Sequence, residues 1–306
     1  MVIYRLSDLR TVPSLPKGGC AALGNFDGVH IGHRALFKEA LKSPVSVVWT
    51  FAEPAKPAAP VPLLTDLSER LRLFAEMGLS YAVITDFQSV RELSCSEFVR
   101  DHLKGTLGLS SAVCGYNYRF GRSGAGDSAL FSRLCRENGM ACTVVPKVCI
   151  DGEEISSSRI RELILNGDVK EAKKLLGHPY SFTSPVLHGM RLGSSFSTPT
   201  VNQNIPSPFA VPARGVYATC VHIGEKIYPG ATNVGVRPTV SDGKDLNCET
   251  NIIGFSGDLY GRSLRIDFLE KLRDEKEFSD KDALFSQIKK DIDECARIFG
   301  QFSERI

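Results

Sequence analysis

A doubly wound parallel α/β domain followed by an antiparallel β-barrel with a terminal helix is the architecture predicted by this 306-residue sequence. Three observations predict it. Up to about residue 180, short apolar runs alternate with helical patterns. Residues 183–215 are then rich in Ser, Gly and Pro. Beyond them, period-two segments follow one another without helices until a polar-faced terminal helix.

In the first part, "CAALG" (20–24), "VSVVWTF" (45–51), "YAVITDF" (81–87), "SAVCG" (111–115) and "CTVVPKV" (142–148) read as buried strands. Helical patterns lie between them at Ile31–Leu41, Asp66–Met77, Ser96–Leu103 and Asp127–Asn138. Such alternation implies parallel pairing through right-handed crossovers, with helices on both faces of the sheet. "FAEPAKPAAPVPLL" (51–64) reads as a loop. "DVKEAKKLLGHPYSF" (168–182) reads as a connecting helix stopped by Gly177 and Pro179. In the second part, "GVYATCVHI" (215–223), "KIYPGATNV" (226–234), "NCETNIIGF" (247–255) and "RSLRIDFLE" (262–270) alternate with period two, as barrel strands do. A helix over Asp280–Phe299 closes the chain. The expected domains are 1–180 and 181–306.

Hydrophobic residues make up 42% and charged residues 24%, as in a globular protein, and the net charge of +2 gives no reason to expect a nucleic-acid partner. The nine cysteines are odd in number and lack a Cys-x-x-Cys pair, which argues against a disulfide framework and a structural zinc. Reduced, mostly buried thiols are expected. No apolar run fits a signal peptide or a membrane span, so a cytoplasmic protein is expected. Composition leaves the oligomeric state open.

One string stands out: "GNFDGVHIGH", Gly24 to His33, directly after the first apolar strand. Ligands of open α/β sheets bind at the carboxyl ends of the strands, where this string falls. His30 and His33, at i and i+3, share a helix face at a helix start, where backbone N–H groups are free for an anion. Gly28 and Gly32 keep side chains out of a phosphate's way. Such donors suit a phosphorus centre that gains negative charge during in-line displacement. A tight turn and a capped helix with two incidental histidines is the plainer alternative.

The longer string Gly24-x-Phe26-Asp27-Gly28-Val29-His30-x-Gly32-His33 resembles the signature of nucleotidyltransferases that join the AMP moiety of ATP to a phosphate. "ISSSRIRELILNGDVKEAKKLLGHPY" (155–180) resembles the Ile-Ser-Ser-Thr-x-x-Arg motif of the same superfamily, with Ser158 where Thr is usual. Ser157 and Ser158 can cap a helix, and Arg161 on the same face can pair a phosphate bidentately. "CGYNYRFGRSGAGD" (114–127) resembles a segment of the bacterial bifunctional riboflavin kinase/FAD synthetases, with Asn117 at the nucleotide-contacting position. "GVYATCV", "YPGATNVGVRPTV", "CETNIIGFSGDLYG" and "FLEKLRDEKEF" resemble successive segments of that family's kinase barrel.

The resemblance implies a Rossmann-like nucleotidyltransferase domain and a riboflavin kinase barrel. It implies ATP-dependent phosphorylation of riboflavin to FMN and adenylylation of FMN to FAD with release of pyrophosphate, both assisted by Mg²⁺. The implied partners are riboflavin, FMN and ATP, without nucleic acid or membrane. His30, His33 and Arg161 would act in adenylyl transfer, with Gly24, Phe26, Asp27, Gly28, Gly32, Asn117, Ser157 and Ser158 around the nucleotide. Glu249 matches the kinase's catalytic base. Thr200 and Asn202 match its Mg²⁺ and phosphate ligands, and Arg273 a flavin-side residue. As plain residues, Thr200 and Asn202 after a proline would read as a turn.

The match departs from the family at Gly193–Thr200, where Gly-Ser-Ser-Phe-Ser-Thr-Pro-Thr stands for Gly-Arg-x-Leu-Gly-Phe-Pro-Thr, and at "TFAEPAKP", which lacks the family's histidine. Two alternatives therefore stay open: a monofunctional FMN adenylyltransferase with a non-catalytic barrel, and a non-catalytic flavin or nucleotide sensor.

Overall fold

A computed structural model describes residues 1–6, 15–53, 61–187, 200–236 and 246–304. Contacts group the chain into two compact units, Met1–Val61 with Thr65–Ser157, and Pro62–Leu64 with Ser158–Ile306. No helix among the described residues is long and apolar enough to cross a membrane.

The first unit runs β1 (Val2–Leu6), β2 (Cys20–Leu23), α1 (Ile31–Ala40), β3 (Ser46–Phe51), α2 (Leu67–Glu76) and β4 (Tyr81–Thr85). Then come the short α3 (Phe87–Val90) and α4 (Cys95–Glu97), a π-helix (Phe98–Thr106), β5 (Ser111–Gly115), α5 (Ser128–Glu137) and β6 (Ala141–Val145). A small hairpin, β7 (Cys149–Ile150) with β8 (Glu153–Glu154), follows. The main sheet has the order β1-β4-β3-β2-β5-β6, and every pair in it is parallel. The chain leaves β2 toward β3 and β4, then returns to β5 on the other side. The strand order therefore reverses between β2 and β5, which is where such a sheet opens a ligand crevice.

The strands are apolar along their length because both faces are covered. Val47 and Trp49 of β3 pack with Phe98, Leu103 and Phe131 on one side, while Val48 packs with Phe37 and Phe74 on the other. Helix starts follow the sequence closely. Asp66 accepts from Glu69 N at 2.6 Å and Asp127 from Leu130 N at 2.8 Å, each capping its helix. The expected helix over Ser96–Leu103 is instead a short α-turn that widens into the π-helix.

The second unit runs α6 (Ser157–Asn166), α7 (Val169–Leu176), β9 (Tyr180–Pro185), β10 (Thr200–Asn204), β11 (Gly215–Ile223), β12 (Lys226–Val236), β13 (Leu246–Ile252), β14 (Ser263–Arg273) and α8 (Lys281–Ser303). Helix α7 ends at Gly177, whose φ of 77° is the left-handed cap that glycine supplies at no steric cost. The six barrel strands are antiparallel in the order β10-β13-β12-β11-β14-β9. The two end strands meet where Leu187 N donates to Asn202 O at 2.8 Å, which closes the sheet on itself.

Strands β1, β9 and β10 are additions to the elements read from sequence. Thr200 and Asn202, which read as a turn, lie on strand β10 instead. Their strand conformation is imposed by pairing with β13, a long-range partner invisible to local residue preference. Ser157 and Ser158 are the first two residues of α6 rather than its cap. The family departures at Ser194–Thr198, and those of "TFAEPAKP" from Pro54 on, lie outside the described residues. All nine cysteines are free, and six of them are buried.

Candidate active sites

The loop after β2 is built under strain. Phe26 and Val29 carry φ of 54° and 43°, and Gly28 carries 84°. A β-branched residue in the left-handed region is a genuine outlier, held only where its surroundings over-determine it. The surroundings are visible. Asp27 Oδ1 accepts from Thr65 N at 3.0 Å and from Thr65 Oγ1 at 3.3 Å. Thr65 Oγ1 in turn accepts from Gly28 N at 2.8 Å. Ser157 Oγ donates to the Asp27 carbonyl at 2.8 Å. Phe26 is buried between Phe37 and Phe74. Asp27, Gly28 and Ser157 thus hold one another and the loop, and the Gly28 N–H points at Thr65 rather than outward.

His30 is the N-cap of α1, and its Nδ1 accepts from His33 N at 3.2 Å. That bond fixes the tautomer: Nδ1 is an acceptor, so the neutral ring carries its proton on Nε2. The two imidazoles stack, with centroids 3.5 Å and planes 18° apart. His33 also meets the edge of Phe26 at 5.2 Å. Burial first, then His30, then Arg70, push the His33 pKa well below the usual imidazole range. His33 is therefore uncharged at neutral pH. Gly32 is required by close approach, because a Cβ there would sit 3.0 Å from the His30 ring. Gly24 does the same beneath the Phe26 ring, again at 3.0 Å. The helix start leaves the N–H groups of Ile31 and Gly32 without intrahelical acceptors, as every helix start does.

Asn117 follows β5, the neighbour of β2, and is exposed. Its Oδ1 passes 3.2 Å from where a Cβ on Gly115 would be. The histidine pair and Asn117 therefore follow the carboxyl ends of the two strands that flank the reversal of strand order. Arg161 and the exposed Ser158 group with the second unit, where Arg161 Nε donates to the Pro62 carbonyl.

In the barrel, Glu249 pairs across β13 with Asn202 of β10 on one side and Asn233 of β12 on the other. Directly opposed residues point to the same face, so one exposed carboxylate stands between two amides, with Thr200 one pleat away. Asn247 Nδ2 donates to Asn202 Oδ1 at 2.9 Å, and Asn233 Nδ2 donates to Glu275 Oε1 at 3.2 Å. Arg273, expected near flavin, forms a two-pronged pair with the buried Asp291 of α8, at 3.1 Å through Nε and 2.8 Å through Nη2. Its Nη1 donates to Asp274 O at 3.0 Å.

Three contributors escaped the sequence reading. Thr65 and Arg70 belong to the approach and body of α2, and an arginine in a helical pattern reads as a solvated face. Asn247 had a usable signal, since Asn247, Glu249 and Asn251 alternate with apolar or small residues on one strand face.

A helix start aimed at the switch point, joined to a closed barrel that presents a carboxylate among amides, defines a two-domain transferase that uses nucleotides. The FAD synthetase family model matches residues 12–159, and the riboflavin kinase model matches residues 176–299. The bifunctional riboflavin kinase/FMN adenylyltransferase of Escherichia coli K12 is 34% identical, over 95% of this chain and 96% of its own. That of Bacillus subtilis is 31% identical over 91% and 92%. A crystal structure of a Streptococcus pneumoniae protein described as a macrolide-efflux protein has a TM-score of 0.84 at 30% identity, covering 95% of this chain and 97% of that one. The chain belongs to the bifunctional riboflavin kinase/FMN adenylyltransferase family. Membership makes it an enzyme, a kinase joined to a nucleotidyltransferase.

Proposed function

We propose that residues 181–306 phosphorylate riboflavin to FMN with ATP, and that residues 1–180 adenylylate FMN to FAD with a second ATP, releasing pyrophosphate. The observation that carries the adenylyl-transfer half is the stacked pair His30–His33 at the reversal of strand order. The Nε2–H of His30 is a donor whose direction is fixed by the cap bond. In a buried site such a donor stabilises charge as it builds on the α-phosphate, with little reorganisation during the reaction. A neutral His33 leaves the electrostatic gain to be realised when the triphosphate arrives. Arg161 acts on the nucleotide's phosphates, and Asn117 on its base or sugar. The FMN phosphate is the nucleophile and is already ionised, so this half needs no general base.

In the barrel, Glu249 takes the proton of the ribityl 5′-hydroxyl as that oxygen attacks the γ-phosphorus. Asn202 and Thr200 supply an amide and a hydroxyl oxygen, the hard donors Mg²⁺ prefers. Asn247 Oδ1, buried without a hydrogen-bond partner beside Asn202, adds another oxygen that suits a cation. Among the described residues, no cluster of three His, Cys, Asp or Glu is placed to hold a metal alone. The fit is therefore to a Mg²⁺ shared with ATP, which when bound offsets negative charge on the transferring phosphoryl group. The reading places the enzyme in the cytoplasm with small-molecule substrates alone.

Offering each flavin separately with ATP and Mg²⁺, and separating the products by chromatography, tests both halves. Riboflavin should give FMN and then FAD; FMN should give FAD directly. No FAD from FMN under any Mg²⁺ condition would overturn the assignment of the first unit. FAD from FMN but no FMN from riboflavin would make the barrel non-catalytic, the reading that the Ser194–Thr198 departures motivate.

A further inference from the structure

Arg70 of α2 is the largest fully buried side chain among the described residues, 1% exposed, and its surroundings are unusual for a guanidinium. Nη1 donates to Asn25 O at 2.9 Å, to Thr50 Oγ1 at 3.1 Å and to Phe51 O at 3.1 Å. Nη2 donates to Ala52 O at 3.0 Å. Nε has no hydrogen-bond partner. No carboxylate forms an ion pair with it among the described residues. Asn25 lies in the loop that carries the two histidines, and Phe51 and Ala52 end the neighbouring strand β3. One side chain thus ties together the carboxyl ends of β2 and β3 beside the switch point.

A buried cation held only by neutral oxygens is expensive, because dipoles offset desolvation less well than a counter-charge does. A fold that needed only to pin two loops could use neutral donors. The retained charge has an electrostatic use: in a low-dielectric setting it acts on neighbours and on an incoming polyanion more strongly than it would in water. We propose that Arg70 is a positioning residue for adenylyl transfer, one that sets the Asn25–His30 loop and biases the site toward the triphosphate through a charge that no direct ion pair neutralises. This inference rests on the reading of His30 and His33 given above.

The ionisable groups around His33 are His30 on its own helix and Arg70 on α2, both of which disfavour a proton there. Asp27 in the loop and Asp66 at the start of α2 act in turn on Arg70. Removing the guanidinium therefore lets His33 take a proton more easily, which a purely structural arginine would not predict.

Two variants of the full chain separate geometry from charge. Arg70→Met removes both, and Arg70→Lys keeps the charge but loses the fork that reaches four acceptors. Expected for Arg70→Met is a loss of at least about 10-fold in kcat/KM for FAD formation from FMN. Riboflavin phosphorylation should stay within about twofold, and the imidazole titration of His33 by NMR should move to higher pH. Arg70→Lys should leave that titration in place and still lower kcat, since the loop loses its clamp. Adenylylation at the wild-type rate per folded molecule in Arg70→Lys would overturn the proposal, as would a His33 titration unmoved in a folded Arg70→Met. Should Arg70→Met not fold, Arg70→Lys alone decides. Failure of the wild-type chain to form FAD from FMN would instead sink the reading of the site.

Discussion

The Nδ1 of His30 accepts the backbone N–H of His33 at 3.2 Å while the two rings stack at 3.5 Å. One residue is at once the cap of α1 and, in the proposed function, the first side-chain donor of the site. Replacing either histidine therefore has separable effects on folding and chemistry. His33→Ala keeps the cap and should cost roughly 10²-fold in FAD formation from FMN, read as kcat with saturating ATP. His30→Asn, which also caps, should cost as much with little loss of stability. Riboflavin phosphorylation in the same preparations should be unchanged.

Gly32→Ala tests the close approach without removing a donor. Alanine favours a helix by about 0.5–1 kcal/mol over glycine, which offsets part of the cost of disturbing the His30 cap. The new methyl falls 3.0 Å from the His30 ring and must turn it. Adenylylation should drop by about 10-fold or more, beyond what any small change in Tm explains. A wild-type rate would mean that the ring orientation is irrelevant.

Stability should depend on pH through His33. Its folded pKa lies well below the ordinary 6.5, so between the two values the unfolded chain binds the proton and the folded one does not. The stabilisation is complete above about 6.5 and shrinks as pH falls toward the folded value, by up to ~1.4 kcal/mol per pH unit. Urea denaturation of the first unit at pH about 7.5 and about 5.5 should show a smaller loss in His33→Asn than in the wild type.

Glu249→Gln keeps shape but not basicity. It should lower FMN formation from riboflavin by about 10²–10⁴-fold while FAD formation from supplied FMN persists. Loss of both activities together would indicate a folding defect, to be checked by circular dichroism.

The Arg273–Asp291 pair is the remaining test. Asp291→Ala strands a partly buried guanidinium and should cost about 3–5 kcal/mol of stability in the barrel unit. If Arg273 also contacts flavin, Arg273→Met should raise the riboflavin KM beyond what the stability loss explains. An unchanged KM in folded Arg273→Met assigns it to anchoring α8 alone.

Much was legible before any coordinates. Alternating apolar runs announced the parallel sheet, and Asp66, Asp127, Asp280 and Gly177 marked helix ends because caps are local chemistry. Strand β11 begins and ends at the expected residues, since a period-two run needs only its own side chains to be recognised. The signature loop stood out by its residue types and spacing, whereas Glu249 was singled out only through the family resemblance.

What the sequence determined by itself were these periodicities, caps and motifs, each set by residues within a few positions of one another. Tertiary structure alone decided the strand order that puts β2 beside β5, the pairing that makes Thr200 and Asn202 a strand, and the partners of Thr65 and Arg70. The physical reason is the same in each case. These features depend on hydrogen bonds and burial between residues tens of positions apart, and a buried arginine looks like a surface one until the chain has closed over it.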